Sequence, residues 1–539
     1  MIKENLIEYF EKSIIANWDK VSLQDYDNGG LTFGELAGQI ERLHNLFREH
    51  GLKKGDKISL IGKNSANWGT VYIATVSYGA VIVPLLQDFT PKDIYKLVNH
   101  SESKLLFISE FLCEKIDYNE FETLQTVYYL DDYNVVHDFT TDFIAFNKNF
   151  KTSDKESFKL EHIQNSDLAA ILYTSGTSGQ PKGVMLNHNS LAANVRYARN
   201  NMPLESGDKV VSFLPLAHCY GAAFEFLFPF SKGCTIIFLG KLPSPQIIVR
   251  AFKEIKPRLI LSVPLVIEKV YKNKIKPAIS KPTTKILLKI PLVNKIIYNK
   301  VLKSLRESFG GEFKEVVIGG AKMNREVETF LRKIGFNFSI GYGMTECGPL
   351  ITYDGHKTTK IYSAGKIVDT LEMKIDSKKE GKVGEILLKG ENIMQGYYKN
   401  EEETNKTIDK DGWLHTGDLG VIDEDGYLFI KGRSKSMILT STGQNVYPEE
   451  IESKFNNFPL VGEVVVVSRN SQITALIYPD QERVKRQELT EEQIAKVFSH
   501  YQKRVNEDMP TYMKVNKITV QKEEFKKTPK KSIKRYLYA

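Results

Sequence analysis

The stretch from Leu172 to Gly183 reads Leu-Tyr-Thr-Ser-Gly-Thr-Ser-Gly-Gln-Pro-Lys-Gly, and it leaves this part of the chain few ways to fold. Leu168 to Tyr173 is an apolar run of the length of a buried strand, and Val184, Met185 and Leu186 begin a returning one. The loop between them hangs from two fixed ends. Gly176, Gly179 and Gly183 open backbone angles closed to other residues, so amide N–H groups can converge on an anion. Thr174, Ser175, Thr177 and Ser178 add hydroxyl donors, and Lys182 adds a positive charge. A flexible Ser/Gly linker would account for the glycines but not for the hydroxyls, the lysine or the flanking strands. The pattern predicts a phosphate clamp. It lacks the Gly-x-x-x-x-Gly-Lys-Ser/Thr spacing, and no helix opens directly after the lysine.

A chain of 539 residues is too long for one ordinary core and predicts two or more domains. Cys113, Cys219, Cys234 and Cys347 have neither metal-ligand nor disulfide spacing, which fits a reducing compartment. The first residues mix acids and bases where a secretory signal would be apolar, so a cytoplasmic protein is expected. The uncharged run 64–87 contains Asn, Ser, Gly and Pro and predicts a buried helix leading into a strand at 80–83, not a membrane span. A net charge of +8 is modest for this length, and no nucleic acid is expected as a partner. Its placement is more telling. Residues 269–306 carry eleven basic residues and no acid, interleaved with Ile286, Leu287, Leu288, Ile290, Leu292, Val293, Ile296 and Ile297. Such a segment can lie on an anionic bilayer surface, or it can be a solvated helical face with core residues beneath.

Residues 1 to about 165 alternate helices and strands, with a helix starting at 31–36 and a turn at 55–57 into the strand 58–61. Beyond the clamp, His218 stands between the apolar Phe213 to Leu216 and a run from Ala222 to Phe230 that is apolar except for Glu225. A compact unit follows: a strand at 314–318, the turn Gly319-Gly320-Ala321, a helix capped by Asn324, and Phe338 to Ile340 leading into Gly341, Tyr342, Gly343, Met344, Thr345 and Glu346. Both glycine turns end strands, so both can flank one nucleotide. Tyr342 offers a flat face for adenine, Thr345 a hydroxyl for a phosphate and Glu346 a hard oxygen for Mg²⁺. From 384 to 430 the reading is β-rich, with a turn at Asp425-Gly426; Asp418 in isolation can cap a turn. The remainder reads α+β, with Pro448 opening one helix and a Thr490–Gln493 capping box opening another.

Tyr173 to Val184 resembles the AMP-binding loop of the adenylate-forming superfamily, which includes acyl-CoA synthetases, peptide-synthetase adenylation domains and luciferases. Five separated motifs occur in the family's order across essentially the whole chain. The resemblance implies a large α/β N-terminal domain, 1–433, and a small mobile α+β lid, 434–539, hinged at Lys435. It places Thr174, Ser175, Gly176, Thr177, Ser178, Gly179 and Lys182 on phosphate. Gly320, Ala321, Gly341, Tyr342, Gly343 and Thr345 fall around the nucleotide, and Glu346 with Thr174 near Mg²⁺. His218 falls in the pocket near the substrate carboxylate. Gly412 to Asp418 resembles the ribose-binding motif, with Arg433 as a second ribose or phosphate contact. The tail departs from the family pattern Thr-Pro-x-Gly-Lys-Ile, since Ser532 stands where the lysine belongs. Lys531 is the expected replacement and Lys534 the second choice, and a solvated basic tail is the other reading.

The implied activity is attack of a carboxylate on MgATP to give an acyl-adenylate and pyrophosphate, then thiolysis that releases AMP. Leu261 to Tyr271 resembles the long-chain acyl-CoA synthetase branch and implies a fatty acid of medium to long chain, with coenzyme A as acceptor. A carrier-protein phosphopantetheine would use the same chemistry. A nucleotide-binding membrane-surface protein without catalysis is the alternative from another class.

Overall fold

The computed structural model describes residues 1–140, 143–175, 181–240, 244–377, 379, 381–439, 444–470, 472–507, 509–528 and 533–538. The clamp's two strands are Leu168–Ser175 and Pro181–Asn187, antiparallel, with Thr174 opposite Lys182. They belong to an eight-stranded mixed sheet. Inside it lie Val81–Leu85, Lys57–Ile61 and Ser103–Ile108, parallel to one another. The uncharged run forms the helix Ala66–Tyr78, closed by Gly79 at φ 83°, and the strand Val81–Leu85. Apolar on nearly every side, that helix is buried at all positions but Asn67 and Tyr78. Upstream, Thr32 and Glu35 form a reciprocal cap that starts the helix Phe33–Glu49.

Among the described residues four smaller sheets complete the large domain, one of them the short antiparallel sheet of Tyr342–Gly343, Leu350–Tyr353 and Lys366–Ile367. A second joins Lys209–Ser212, Thr235–Phe238, Val21–Asp25 and Gly30–Thr32. A third is parallel and joins Leu259–Ser262, Glu315–Ile318 and Phe338–Ile340. The fourth is antiparallel: Leu371–Asp376, Gly384–Gly390, Leu414–Ile422 and Leu428–Arg433. A main apolar core runs from Leu6 to Leu428. A separate one starts at Val446 and is built on the sheet Val461–Arg469, Gln472–Pro479 and Lys517–Val520. The fold is therefore a large α/β domain with a small α+β one, as expected. Pro448 opens the helix Pro448–Phe455, and Thr490 and Gln493 cap each other reciprocally.

The two domains meet through polar contacts onto backbone carbonyls. Lys272 Nζ reaches Val461 O at 3.0 Å, Lys276 Nζ reaches Asn457 O at 3.2 Å, and Asn324 Nδ2 reaches Ser453 O at 3.1 Å. All four cysteines are free thiols. Among the described residues, no helix is long and apolar enough to cross a membrane. The basic stretch folds into helices, of which the longest is Pro291–Ser308. Tyr271 and Ile275 at the start of the stretch are buried, and Tyr298, Val301, Leu302 and Leu305 farther on pack on the large domain.

Candidate active site

Strands Glu315–Ile318 and Phe338–Ile340 are adjacent and parallel, so the turns leaving their carboxyl ends lie side by side. Gly320 takes φ 82°, a left-handed conformation suited to glycine. At Gly343 a Cβ would sit 2.4 Å from the carbonyl oxygen of Pro349, so only glycine fits there. These turns edge a cleft of about 1740 Å³. Thr174 and Lys182 of the clamp line it, as do Gly320, Ala321, the segment 340–346, Asp418 and Arg433. The small domain contributes Thr528, Ile533 and Lys534. Eleven of the expected positions, from Thr174 and Lys182 to Asp418 and Arg433, meet in this one space although Thr174 and Arg433 lie over 250 residues apart in the chain. Gly176, Thr177, Ser178, Gly179, Lys531 and Ser532 lie outside the described residues, and Ser175 is described by its backbone alone.

Asp418 is a strand residue, not a turn cap: it lies within Leu414–Ile422 and pairs with Arg433 across the sheet. The Tyr342 hydroxyl donates to Asp418 Oδ2 at 2.6 Å, and Arg433 Nε lies 3.0 Å from Oδ1. Burial, then the Asp418 charge, pushes the Tyr342 hydroxyl far above its ordinary range, so it remains a donor. Both carboxylate oxygens are thus held in place while each keeps lone pairs for further donors. This tether between the second glycine turn and the strand Leu414–Ile422 was not anticipated from the sequence, since 76 residues separate its ends.

A second network joins the clamp to Glu346. Lys182 pairs with Glu403 of the helix Glu401–Thr407, and its Nζ lies 4.9 Å from the Tyr397 ring centroid. The hydrogen bond and charge of Lys182 hold the Glu403 carboxyl below the usual range. Tyr397 in turn donates to Glu346 Oε1 at 2.9 Å. Gly396–Tyr397 is the edge strand of the eight-stranded sheet, paired with Val184 and Met185 immediately after the clamp. Sequence reading missed Tyr397 and Glu403; the run Gly396-Tyr397-Tyr398 was the available signal. Mg²⁺ is held by one or two carboxylates together with substrate phosphates, not by an all-protein cage. Glu346, oriented by Tyr397 on the cleft wall, fits that pattern. Among the described residues, no group of three or more His, Cys, Asp or Glu side chains could hold a metal by itself.

Thr345 opens a short 3-10 turn, and its Oγ1 accepts from the Cys219 thiol at 3.5 Å. That contact sets the segment beginning at His218 against the cleft wall. The His218 N–H donates to Pro215 O at 3.0 Å, and Cys219–Gly221 then runs into a π-helical turn, Ala222–Leu227. Such turns recur where a side chain must be re-aimed at a functional site. Glu225, within it, is fully buried, and Oε2 accepts the N–H groups of Phe213 at 3.0 Å and Leu214 at 2.9 Å. Burial drives its carboxyl well above the usual range. Tyr220 closes this wall against the first glycine turn: a Cβ on Gly319 would lie 3.1 Å from its ring.

The comparisons with known proteins agree with this geometry. The family model described as AMP-binding enzyme matches residues 10–398, and that of the AMP-binding enzyme C-terminal domain matches 435–538. The chain belongs to the AMP-binding, adenylate-forming enzyme family. The long-chain-fatty-acid–CoA ligase FadD15 of Mycobacterium bovis is 28% identical over 81% of this chain and 75% of its own. The 4-coumarate–CoA ligase 1 of Petroselinum crispum is 29% identical over 86% and 80%. Among solved structures, the anthranilate CoA ligase AuaEII in complex with anthranoyl-AMP superposes with a TM-score of 0.81 at 19% identity, covering 99% of this chain and 96% of that one. The o-succinylbenzoate CoA synthetase of Bacillus subtilis, in complex with its acyl-adenylate, gives 0.78 at 21% identity, covering 100% and 99%.

Proposed function

We propose that this chain is an ATP-dependent acid–CoA ligase acting on a medium- to long-chain fatty acid. The observation that carries the reading is the meeting of Lys182, Glu346, Tyr342, Asp418 and Arg433 in one cleft with the small domain's tail on its open side. A carboxylate oxygen attacks the α-phosphorus of ATP, the bond to the bridging oxygen breaks, and pyrophosphate leaves. A thiol then loses its proton and attacks the acyl carbon, the acyl–oxygen bond breaks, and AMP leaves. No covalent bond to the protein forms.

In this reading Tyr342 stacks on adenine, Asp418 and Arg433 hold ribose, and Thr345 meets the α-phosphate. The 174–183 loop with Lys182 holds the β- and γ-phosphates. Glu346 and Thr174 would hold Mg²⁺ where it offsets phosphate charge. His218 is placed near the acid. Lys531 supplies the cation that bridges carboxylate and α-phosphate, a contribution of several kcal/mol to the transition state. Thr528 and Ile533, on either side of it in sequence, line the cleft. The domains divide at 433/434, with Lys435 as the hinge, because reorienting the lid lets one site serve two steps. The gap between the two apolar cores supports that boundary.

The fatty-acid assignment is supported by Leu261 to Tyr271 and by the likeness to FadD15. Pyrophosphate release from ATP should depend on added palmitate and not on 4-coumarate. Release with 4-coumarate alone would transfer the reading to aryl acids, and no release with any acid from acetate to oleate would end it. Coenzyme A should then convert the adenylate to a thioester detectable by mass spectrometry. An adenylate left stranded would point to a carrier protein as acceptor.

A further inference from the structure

The helices Lys276–Ile279, Pro282–Leu287 and Pro291–Ser308 form an arm that leaves a run of apolar side chains between 286 and 296 exposed. No residue from 276 to 304 is buried. Leu292 is 79% exposed, Ile296 67% and Ile286 65%, and Leu287 and Ile290 are exposed beside them. The neighbouring helix Arg325–Ile334 buries every apolar residue it has, so the helix beside the arm does not share this exposure. The arm is nonetheless fixed. Tyr298, Val301, Leu302 and Leu305 pack on the large domain, and the Tyr298 ring lies 6.3 Å from that of Phe330.

Charge decides what can cover this face. Lysines 281, 285, 289 and 295 alternate with the exposed apolar residues, and there is no acid between 269 and 306. Among the described residues, the pair Lys276–Glu326 at 2.8 Å is the one ion pair formed by any of the eleven basic residues in that span. A second copy placed by two-fold symmetry would set the same lysines against one another. A bilayer with anionic headgroups receives both features together, the apolar side chains in its acyl boundary and the ammonium groups at its phosphates.

We propose that residues 281–296 are a docking surface for an anionic phospholipid bilayer. Two links carry the arm's position to the cleft. The segment leads back through Pro264–Val270 to Val263, whose Cγ1 would touch a Cβ on Gly320 at 3.7 Å. Lys272 and Lys276 at its root hold the small domain. The inference does not depend on which acid is activated.

The full chain should co-sediment with vesicles of phosphatidylcholine mixed with phosphatidylglycerol and not with vesicles of phosphatidylcholine alone. Binding should fall as salt is raised. The double variant Leu292→Asp/Ile296→Asp, and separately the triple variant Lys281→Glu/Lys285→Glu/Lys289→Glu, should each lower the bound fraction at least roughly tenfold. Because all five side chains are exposed, thermal unfolding and pyrophosphate release measured without vesicles should match the parent in both variants. Absence of binding, equal binding to neutral vesicles, or retention of binding by either variant would overturn the proposal. So would a dimer in sedimentation equilibrium that the Leu292→Asp/Ile296→Asp variant splits into monomers, since a second copy would then be what covers the face.

Discussion

The cleft has two sides built on different principles. The large-domain side is over-determined: Asp418 is held by Tyr342 and Arg433, Glu346 by Tyr397, and the glycine turns by parallel strands of one sheet. The small-domain side has its own apolar core and touches its neighbour through hydrogen bonds such as that of Asn324 to Ser453. A packed apolar interface resists sliding because every methylene that leaves its hole loses contacts, whereas a lysine on a carbonyl can be exchanged for water at little net cost. The difference teaches that the geometry of the cleft is stored in the large domain, while the small one rests on it through contacts that water can replace.

The sharpest way to break this comparison is to strike each side and follow the two half-reactions separately. Lys531→Ala should slow adenylation by about two orders of magnitude or more while leaving thioester formation from supplied acyl-adenylate near normal. Asp418→Ala should slow both steps, because ribose stays bound throughout. A Lys531→Ala variant with the parent's adenylation rate would shift the role to Lys534, which lines the cleft.

A second contrast is in buried titratable groups. His44 and His188 lie in the large domain, and burial lowers each to about 4. Among the described residues, neither ring nitrogen of His188 has a hydrogen-bond partner. His500 is the small domain's histidine, and it is exposed. A histidine whose folded value is depressed contributes stability that is complete above its unfolded value near 6.5 and is lost as pH falls toward 4. His188→Phe removes that dependence. Relative to the parent, the large domain of the variant should therefore gain up to about 1.4 kcal/mol per pH unit between pH 6.5 and 4. Glu225 acts in the opposite sense, since its raised value makes the parent more stable as pH falls, so the comparison must be variant against parent at each pH. Region-resolved hydrogen exchange should place the change in residues 1–433; an equal change in the small domain would contradict it.

Asn324 belongs to both sides. Its Oδ1 accepts the N–H groups of Glu326 at 2.9 Å and Val327 at 3.3 Å, while its Nδ2 serves Ser453. Asn324→Ala should cost about 1 kcal/mol in the large domain's unfolding and loosen the lid. Asn324→Asp keeps the cap and loses the donor to the lid. It should leave unfolding unchanged yet speed proteolysis between residues 434 and 444.

What the sequence made legible was local. The clamp strands, the Asn324 cap, the Thr32 and Thr490 caps and the buried helix at 66–78 all follow from residues within a few positions of one another. Even there the first clamp strand runs two residues past Tyr173, because pairing with Lys182 and Pro181 outweighs the polar character of Thr174 and Ser175. What was missed is long-range. Asp418 follows a glycine at φ 70° and so reads as a turn, yet pairing with Arg433 keeps it in a strand. Nothing near Lys182 announces Glu403, which lies 221 residues away. Periodicity could not tell which apolar residues of 269–306 face the core, since that depends on where the preceding helices point.

The pairing of Lys182 with Glu403 means that the clamp's cation already has an anionic partner before any nucleotide arrives. The proposed phosphate binding there would be an exchange of counter-ions, its net gain the difference between two attractions. On the proposed reading, a doubly anionic terminal phosphate would win that exchange from a carboxylate where a weaker anion would not, and Lys182 would discriminate by competition. Glu403→Gln should tighten ATP severalfold and tighten free phosphate by a larger factor; unchanged affinity for both would remove the competitor from the account. In the proposed reaction the same carboxylate would reclaim the lysine as pyrophosphate leaves, and the charge that held the product would be quenched as the product goes.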